Sequence, residues 1–260
     1  MSNERPFFEG KNMRKNKAGA IAITSFGLLL MGATCHASAQ DATTPYRKMA
    51  PVEQYLMDRN AEITLARSAA PESISRDATI LILGRQGYET AVQGKNGFVC
   101  MVGRAWGAAF DWDEFWNPKV RAADCLNPQA ARSMLPIFYL RARMAMAGRS
   151  EAEIVLAVKT AFENKELGDL ESGAMDYMMS KSSYLTDQGS HNMPHLMFYT
   201  RVKDGKDWGS GAAGSPVTSS PYWFFSPKKQ SQMKGLPPIL VFLVGVADWS
   251  DGTPAGQHSE

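Results

Sequence analysis

The sequence predicts an α+β fold, in which a mainly antiparallel sheet carries about three packed helices and long loops join the elements. Three short apolar runs separated by turn residues come first, and helical segments follow them. Further apolar runs, separated by Gly- and Ser-rich stretches, come last. Strands and helices grouped in this way are typical of α+β proteins, whereas strict alternation favours a parallel sheet.

The first part of the expected domain contains one helix and a three-stranded meander. Pro51 suits the first turn of a helix and the next breaker is Pro71, so residues 51–67 are expected to be helical. Asn96 and Gly97 favour a hairpin because both accept positive φ at low cost. Apolar runs around this turn and an earlier one predict antiparallel strands over 78–83, 88–93 and 98–102.

Two longer helices are expected in the middle of the chain. Asn127 followed by Pro128 is typical of an N-cap and a first helical residue, and apolar residues then recur at helical spacing. Pro136 should kink this helix or delay its start. Ser-Glu-Ala-Glu at 150–153 predicts a capping box, which opens a second helix ending near Leu167.

The last part of the chain is expected to contribute strands and two loops. Residues 239–246 are the most apolar stretch after the leader, which is typical of a central strand. Polar, Gly- and Ser-rich composition predicts loops over 203–221 and 226–238. Apolar residues between the polar stretches predict strands over 174–185 and 195–202.

The first 39 residues have the three parts of a cleavable export signal. Basic residues precede an uncharged, apolar run at 18–33, and the small residues Ala37-Ser38-Ala39 predict cleavage before Gln40. The uncharged run is shorter than the roughly 20 residues of a membrane span. The alternatives are an uncleaved anchor and a lipoprotein at Cys35, which Gly32 and Thr34 disfavour because a lipobox has other residues at their positions. The expected organisation is a signal peptide at 1–39, a flexible segment at 40–49, a single α+β domain at 50–250 and a flexible tail at 251–260.

Removal of the signal peptide also removes the positive charge of the chain. The whole sequence has 28 Lys and Arg against 26 Asp and Glu, and five of the basic and two of the acidic residues precede residue 40. The remaining 23 against 24 leave no excess of positive charge for nucleic acid or anionic membranes. We therefore expect a periplasmic or secreted protein with no nucleic-acid partner and no transmembrane anchor after cleavage.

Two cysteines remain after cleavage, Cys100 and Cys125. An even number of cysteines in an oxidising compartment favours a disulfide between them. The alternative is a pair of separate buried thiols.

The segment around His191 and His195 is the best candidate for catalysis or metal binding, with Asp187 as a nearby carboxylate. Histidine is the most common metal ligand and general base near neutral pH. Pro194 opposes a helix through both histidines, and four residues of strand span about 13 Å, so only a turn would bring both rings to one ion. Neighbouring methionines add ligand types for Cu(I), although methionine more often fills gaps in a core.

The second candidate is a tryptophan-rich stretch that also carries carboxylates. Carboxylates beside aromatic planes bind sugars, and paired carboxylates hydrolyse them. The alternative is a solvated loop held by tryptophan packing. The residues concerned are Trp106, Trp112, Trp116, Asp111, Asp113 and Glu114.

Five stretches of the chain resemble a family of exported bacterial proteins that has no assigned activity. They are MAPVEQYLM at 49–57, NGFVC at 96–100, EFWNPKVR at 114–121, YMMSK at 177–181 and PHLMF at 194–198. The resemblance covers about residues 49–252. It implies export and a single domain, and it transfers no catalytic residues.

The sequence thus predicts an exported protein that binds a small ligand or an envelope partner through its tryptophan-rich loops. The alternative is a metal-assisted or acid/base hydrolase that uses His191, His195 and nearby carboxylates. No motif specifies a cofactor, and whether the chain is an enzyme stays open at this stage.

Overall fold

The computed structural model describes residues 46–188, 193–201 and 206–256. Within them, eight strands form one sheet in the order β2-β1-β3-β4-β5-β6-β8-β7, and all pairs but one are antiparallel. The predicted α+β class with a mainly antiparallel sheet is confirmed. The strands are β1 (Thr79–Gly84), β2 (Gly87–Val92), β3 (Val99–Gly103), β4 (Ala122–Leu126), β5 (Met175–Met178), β6 (His195–Thr200), β7 (Val217–Pro221) and β8 (Leu240–Gly245).

The predicted three-stranded meander is wrong in one pairing. β1 and β2 form the expected hairpin, but β3 lies on the other side of β1 and runs parallel to it, with Ile80 opposite Cys100. The chain reaches that position by passing very close to the start of β1. A Cβ on Gly94 would lie 2.2 Å from the backbone nitrogen of Thr79, so only glycine permits this passage.

Two strands lie where the sequence predicted none. β4 lies within residues 104–128, where the apolar residues recur at neither helical nor strand spacing. With five residues, the strand is too short to show alternating apolar and polar side chains. β7 lies inside the predicted loop 203–221, and it is an edge strand that pairs only with β8. An edge strand packs less of its surface, so its polar sequence gave no strand pattern. β5 is shorter than predicted and ends at Met178.

The expectation of about three helices is too low, because predicted helices are divided. The described residues form five α-helices, and a 3-10 turn at Val52–Gln54 replaces the start of the predicted helix 51–67. Asp58 accepts hydrogen bonds from Asn60 and Ala61 and so begins the first helix at Arg59. The helices are α1 (Arg59–Arg67), α2 (Glu72–Ser75), α3 (Pro128–Ser133), α4 (Leu135–Met146) and α5 (Glu151–Glu163).

The caps expected for the middle helices are confirmed. Asn127 accepts a hydrogen bond from the backbone of Ala130 at the start of α3. Pro136 lies in the first turn of α4, and the helical segment is divided just before it. Ser150 and Glu153 form the capping box of α5. Local hydrogen bonding therefore fixes where these helices begin.

The sheet separates two apolar clusters. One cluster contains residues of α1 and the side chains of β1, β3 and β4 on the sheet face that packs against α1, including Ala66, Ile80 and Cys125. The other, larger cluster packs α3, α4, α5 and buried aromatic residues against the opposite face, which carries Met101 and Leu126. Alternation along the strands assigns each side chain to one of these two faces.

The predicted disulfide is confirmed, and it joins directly opposed residues of β3 and β4. Cys100 pairs with Cys125 in the register of these strands, and both side chains are fully buried. No helix within the described ranges is long and apolar enough to cross a membrane. The predicted signal peptide at 1–39 lies outside the described residues.

Candidate functional site

A cavity of about 500 Å³ lies on the sheet face that carries the larger cluster. β4, β6 and β8 contribute to its lining. The segments after β3, before β6 and after β7 close over these strands. The lining is predominantly apolar and includes Trp112, Val120, Phe138, Met197, Phe225 and Val241.

Strand alternation places two carboxyl groups together at this cavity. Asp124 and Leu126 point to the same face of β4, and Asp176 of β5 lies directly opposite Leu126. Asp176 also lies opposite Met197 of β6. Because Asp124 lines the cavity and Asp176 is diagonal to it on the same face, the two form a carboxyl pair beneath the cavity.

The carboxyl pair is buried and incompletely hydrogen-bonded. Asp124 is 6% exposed and Asp176 is fully buried. The Oδ1 atom of each has no hydrogen-bond donor among the residues the structure describes. The hydroxyl of Tyr199 donates to Asp176 Oδ2 at 2.5 Å. A protonated carboxyl group of either residue can donate to an oxygen of the other.

The environment of the pair favours its protonated form. Burial, followed by the charge of Asp176, raises the pKa of Asp124 well above its ordinary value. Burial raises the pKa of Asp176 to about 7, against the opposing hydrogen bonds from Tyr199 and Asp124. The pair therefore changes its charge near neutral pH, a behaviour that is concentrated at functional sites.

The buried guanidinium of Arg104 is hydrogen-bonded to groups other than the carboxyl pair. Arg104 also lines the cavity, but its guanidinium donates to Glu62 at 2.9 Å and to the carbonyls of Tyr55 and Val102 at 2.8 and 2.5 Å. In the described part of the chain no basic side chain forms an ion pair with the carboxyl pair. The negative charge that the carboxyl pair carries when it is ionised is therefore not neutralised by any basic side chain of the described residues.

A buried hydroxyl adds a second polar group to the cavity. Tyr222 is 7% exposed, lines the cavity, and its hydroxyl has no hydrogen-bond partner among the described residues. Burial raises its pKa, and the nearby Arg141 opposes that shift. Arg141 itself donates to the carbonyls of Gly107 and Ala108 and lies over the ring of Phe110, 4.1 Å from the ring centroid. The hydroxyl of Tyr222 is thus buried beside the guanidinium of Arg141.

His195 lies in the cavity lining, opposite Met178 in the pairing of β5 with β6. Its Nδ1 donates to the carbonyl of Met193 at 2.6 Å, which leaves the Nε2 lone pair unprotonated. Burial lowers its pKa, so the ring is neutral at pH 7. No group of three His, Cys, Asp or Glu residues within the described ranges is arranged to hold a metal ion. His191 lies outside those ranges.

Asp187 is engaged in a surface cluster rather than in the cavity lining. It accepts hydrogen bonds from Tyr46, Tyr184, Asn117 and Lys119, the last at 2.9 Å. The bonds from Tyr184, Tyr46 and Lys119 hold its pKa well below the ordinary range, so it is a weak base. These contacts attach the loop before β6 to the tryptophan-rich segment.

The predicted tryptophan-rich site is mostly core. Trp106 and Trp116 are 1% and 6% exposed and do not line the cavity, whereas Trp112 does. Buried Glu114 accepts hydrogen bonds from Thr186, Asn117 and the backbone of Asp187. Asp111 accepts hydrogen bonds from the backbone of Phe225 and Ser226 at 2.8 and 2.6 Å. Asp113 is exposed. Trp112 is thus the one residue of this predicted set in the lining.

No family model, curated protein or solved structure matches this chain.

Sequence reasoning missed the carboxyl pair and both tyrosines. Each aspartate is the only charged residue of its short strand, AADCL for β4 and MDYM for β5. An isolated carboxylate within a buried strand is costly and therefore informative. That signal was not accessible for Asp124, because β4 itself was not predicted.

Proposed function

We propose that this protein binds a small, predominantly apolar molecule in the cavity over β4, β6 and β8. The cavity carries the proposal: its volume of about 500 Å³ falls within the roughly 300–1,000 Å³ typical of small-molecule sites. Its lining also has the composition of such sites, with many apolar side chains and a few polar groups. A small ligand fits a cavity of this volume better than an envelope protein does.

We propose further that the protein works outside the cytoplasm. The disulfide between Cys100 and Cys125 supports this setting, because such bonds persist in oxidising compartments. Mass spectrometry of protein from a periplasmic or culture fraction tests it. A mature chain beginning at Gln40 is expected, and an intact chain with reduced cysteines would refute export.

Binding is tested with N-phenyl-1-naphthylamine, an uncharged probe whose fluorescence rises in apolar surroundings. We expect a saturable rise with the wild-type protein. Ala122→Phe fills part of the cavity from β4 and should weaken binding by about tenfold or more, because the pocket no longer encloses the probe. Ala91→Phe is the matched control, since Ala91 is a partly exposed strand residue outside the cavity lining. Equal binding by both variants would contradict the proposal.

A hydrolase is the second candidate, and one observation favours it. His195 and Asp124 line the same cavity, where a neutral imidazole and a protonated carboxyl group resemble a base and an acid. Hydrolysis of 4-nitrophenyl esters tests this alternative. Turnover that His195→Gln and Asp124→Asn both abolish would support it, and turnover unchanged in both variants, or absent from the wild type, would reject it.

A further inference from the structure

We propose that the cavity selects an organic ammonium ion, a primary or secondary amine on an apolar body, whose N–H groups donate to Asp124. The inference rests on the proposed function and specifies the ligand class of that same cavity. It also assigns different roles to the two aspartates. Asp124 contacts the ligand, and Asp176 is a positioning residue that acts through Asp124.

The geometry leaves one oxygen of Asp124 accessible from the cavity. Gly103 of β3 lies beside it, and a Cβ added to Gly103 would come 3.6 Å from Asp124 Oδ2. Because Gly103 has only a hydrogen there, the space over Oδ2 stays open to the cavity that both residues line. An ammonium hydrogen fits this space at ordinary hydrogen-bond distance.

A cationic group on the ligand would neutralise the negative charge of the ionised carboxyl pair. Two adjacent buried carboxyl groups without a basic partner are unfavourable in their ionised form. The basic side chains that pack nearby do not neutralise them, since Arg104 is paired with Glu62 and Arg141 binds carbonyl groups. The titratable groups that interact electrostatically with Asp124 are Asp176, Tyr199, Tyr222 and Tyr88. Arg104 and His195 share the cavity lining with it.

The remaining lining agrees with an ammonium ion on an apolar body. The aromatic side chains of Trp112 and Tyr222 supply ring faces, which attract cations in desolvated sites. His195 is neutral at pH 7 and adds no repulsion. Phe138, Met197 and Leu243 offer apolar surface for the rest of the ligand.

Binding of the cation should expel the proton of the pair. Below pH 7 the two carboxyl groups hold both protons, and an ammonium ion stabilises the singly ionised pair. One proton then passes to the buffer for each ligand bound, and the ammonium ion keeps all of its own. As the pH rises above the pKa of about 7 for Asp176, the free protein loses this proton itself and proton release should decrease.

The test compares 2-(1-naphthyl)ethylamine with the neutral 2-(1-naphthyl)ethanol by titration calorimetry. We expect the amine to bind the wild-type protein at least about tenfold more tightly at pH 7, a ratio that corresponds to 1.4 kcal/mol. Asp124→Asn should remove this preference and leave alcohol binding within about twofold, since the amide preserves volume. Titrations in two buffers of different ionisation enthalpy should show more proton release at pH 6 than at pH 8.5, and equal release at both would contradict the ionic contact.

Gly103→Ala tests the same contact without altering a carboxyl group. Its methyl group should cover Asp124 Oδ2 and weaken amine binding more than alcohol binding. Gly107→Ala is the matched control within the cavity lining, because its methyl group would meet Phe138 at 3.6 Å and not Asp124, so it should change amine and alcohol binding equally. Equal affinity of the wild-type protein for amine and alcohol would overturn the amine inference alone. Absence of binding by both compounds would overturn the proposed function.

Discussion

Two buried charged pairs lie in this protein, and they differ in how completely they are bonded. Glu62 and Arg104 form an ion pair at 2.9 Å, and both side chains are almost fully buried. The backbone of Leu83 also donates to Glu62, and Arg104 donates to two carbonyls. Asp124 and Asp176, in contrast, share one face of the sheet without a basic partner and with unpaired oxygens.

The difference separates a structural pair from the pair that we propose to be functional. The first pair, Glu62 and Arg104, joins α1 to the ends of β1 and β3, and its hydrogen bonds are made between the two residues and to the backbone of the protein. The second lies beneath a cavity, and its missing partner can only come from a proton or a ligand. Incomplete hydrogen bonding in a buried group therefore distinguishes the proposed binding site more clearly than charge or burial alone.

Breaking the complete pair should have the largest effect. Arg104→Met leaves Glu62 buried without a counterion and should lower the free energy of unfolding by about 3–5 kcal/mol. Urea denaturation measures it. Arg76→Met is the matched control, because its partner Glu72 is exposed, and it should cost less than about 1 kcal/mol. Similar losses from the two variants would remove the distinction.

Removing the charge of the incomplete pair should instead stabilise the protein at high pH. A carboxyl group whose pKa is raised by folding contributes stability below its unfolded pKa near 4, and loses it as pH rises through the folded value of about 7. Asp176→Asn cannot ionise, so relative to wild type its stability should improve by roughly 3 kcal/mol between pH 4 and pH 8. Denaturation midpoints across this range measure the difference, and parallel pH profiles would refute it.

The two tyrosines at the cavity provide a finer comparison. Tyr199→Phe removes a donor from Asp176 and should cost about 1–3 kcal/mol. Tyr222→Phe removes a hydroxyl without a partner among the described residues, so stability should change by less than about 0.5 kcal/mol. Thermal unfolding at pH 6 distinguishes them, and the reverse order would show that the hydroxyl of Tyr222 is engaged.

A small effect with the opposite pH dependence is expected at the exposed carboxylate Asp187. Its pKa is lowered by folding, so its contribution is present above the unfolded pKa and disappears as pH falls below about 4. Asp187→Asn should therefore cost about 1 kcal/mol at pH 7 and less at pH 3, opposite in sign to Asp176→Asn. A cost that does not shrink on acidification would contradict the assigned ionic role.

Local features of the fold were predictable, whereas the pairing of distant segments was not. The caps at Asn127 and Ser150 are encoded within four residues, and sequence alone located them. The parallel contact of β1 with β3 depends on the close passage at Gly94, which no periodicity reveals. β7 carries a polar sequence because it is an edge strand.

The candidate site was harder to predict from sequence than the helix caps, because it is formed by strands that are distant in the chain. His195 was identified from its residue type, and the structure places it in the cavity lining. Trp106 and Trp116 were chosen for the same kind of reason, yet they pack in the core, because aromatic density does not distinguish core from surface. Asp124 and Asp176 are 52 positions apart and meet only through the β4–β5 register.

The buried disulfide has a consequence for when the protein becomes competent. Cys125 directly follows Asp124 on β4, and its bond to Cys100 fastens that strand to β3 from the opposite face of the sheet. The backbone under the acidic group is thus covalently anchored only after oxidation. We expect newly made, reduced chains to recognise ligand poorly, so that capture begins where the thiols have been oxidised.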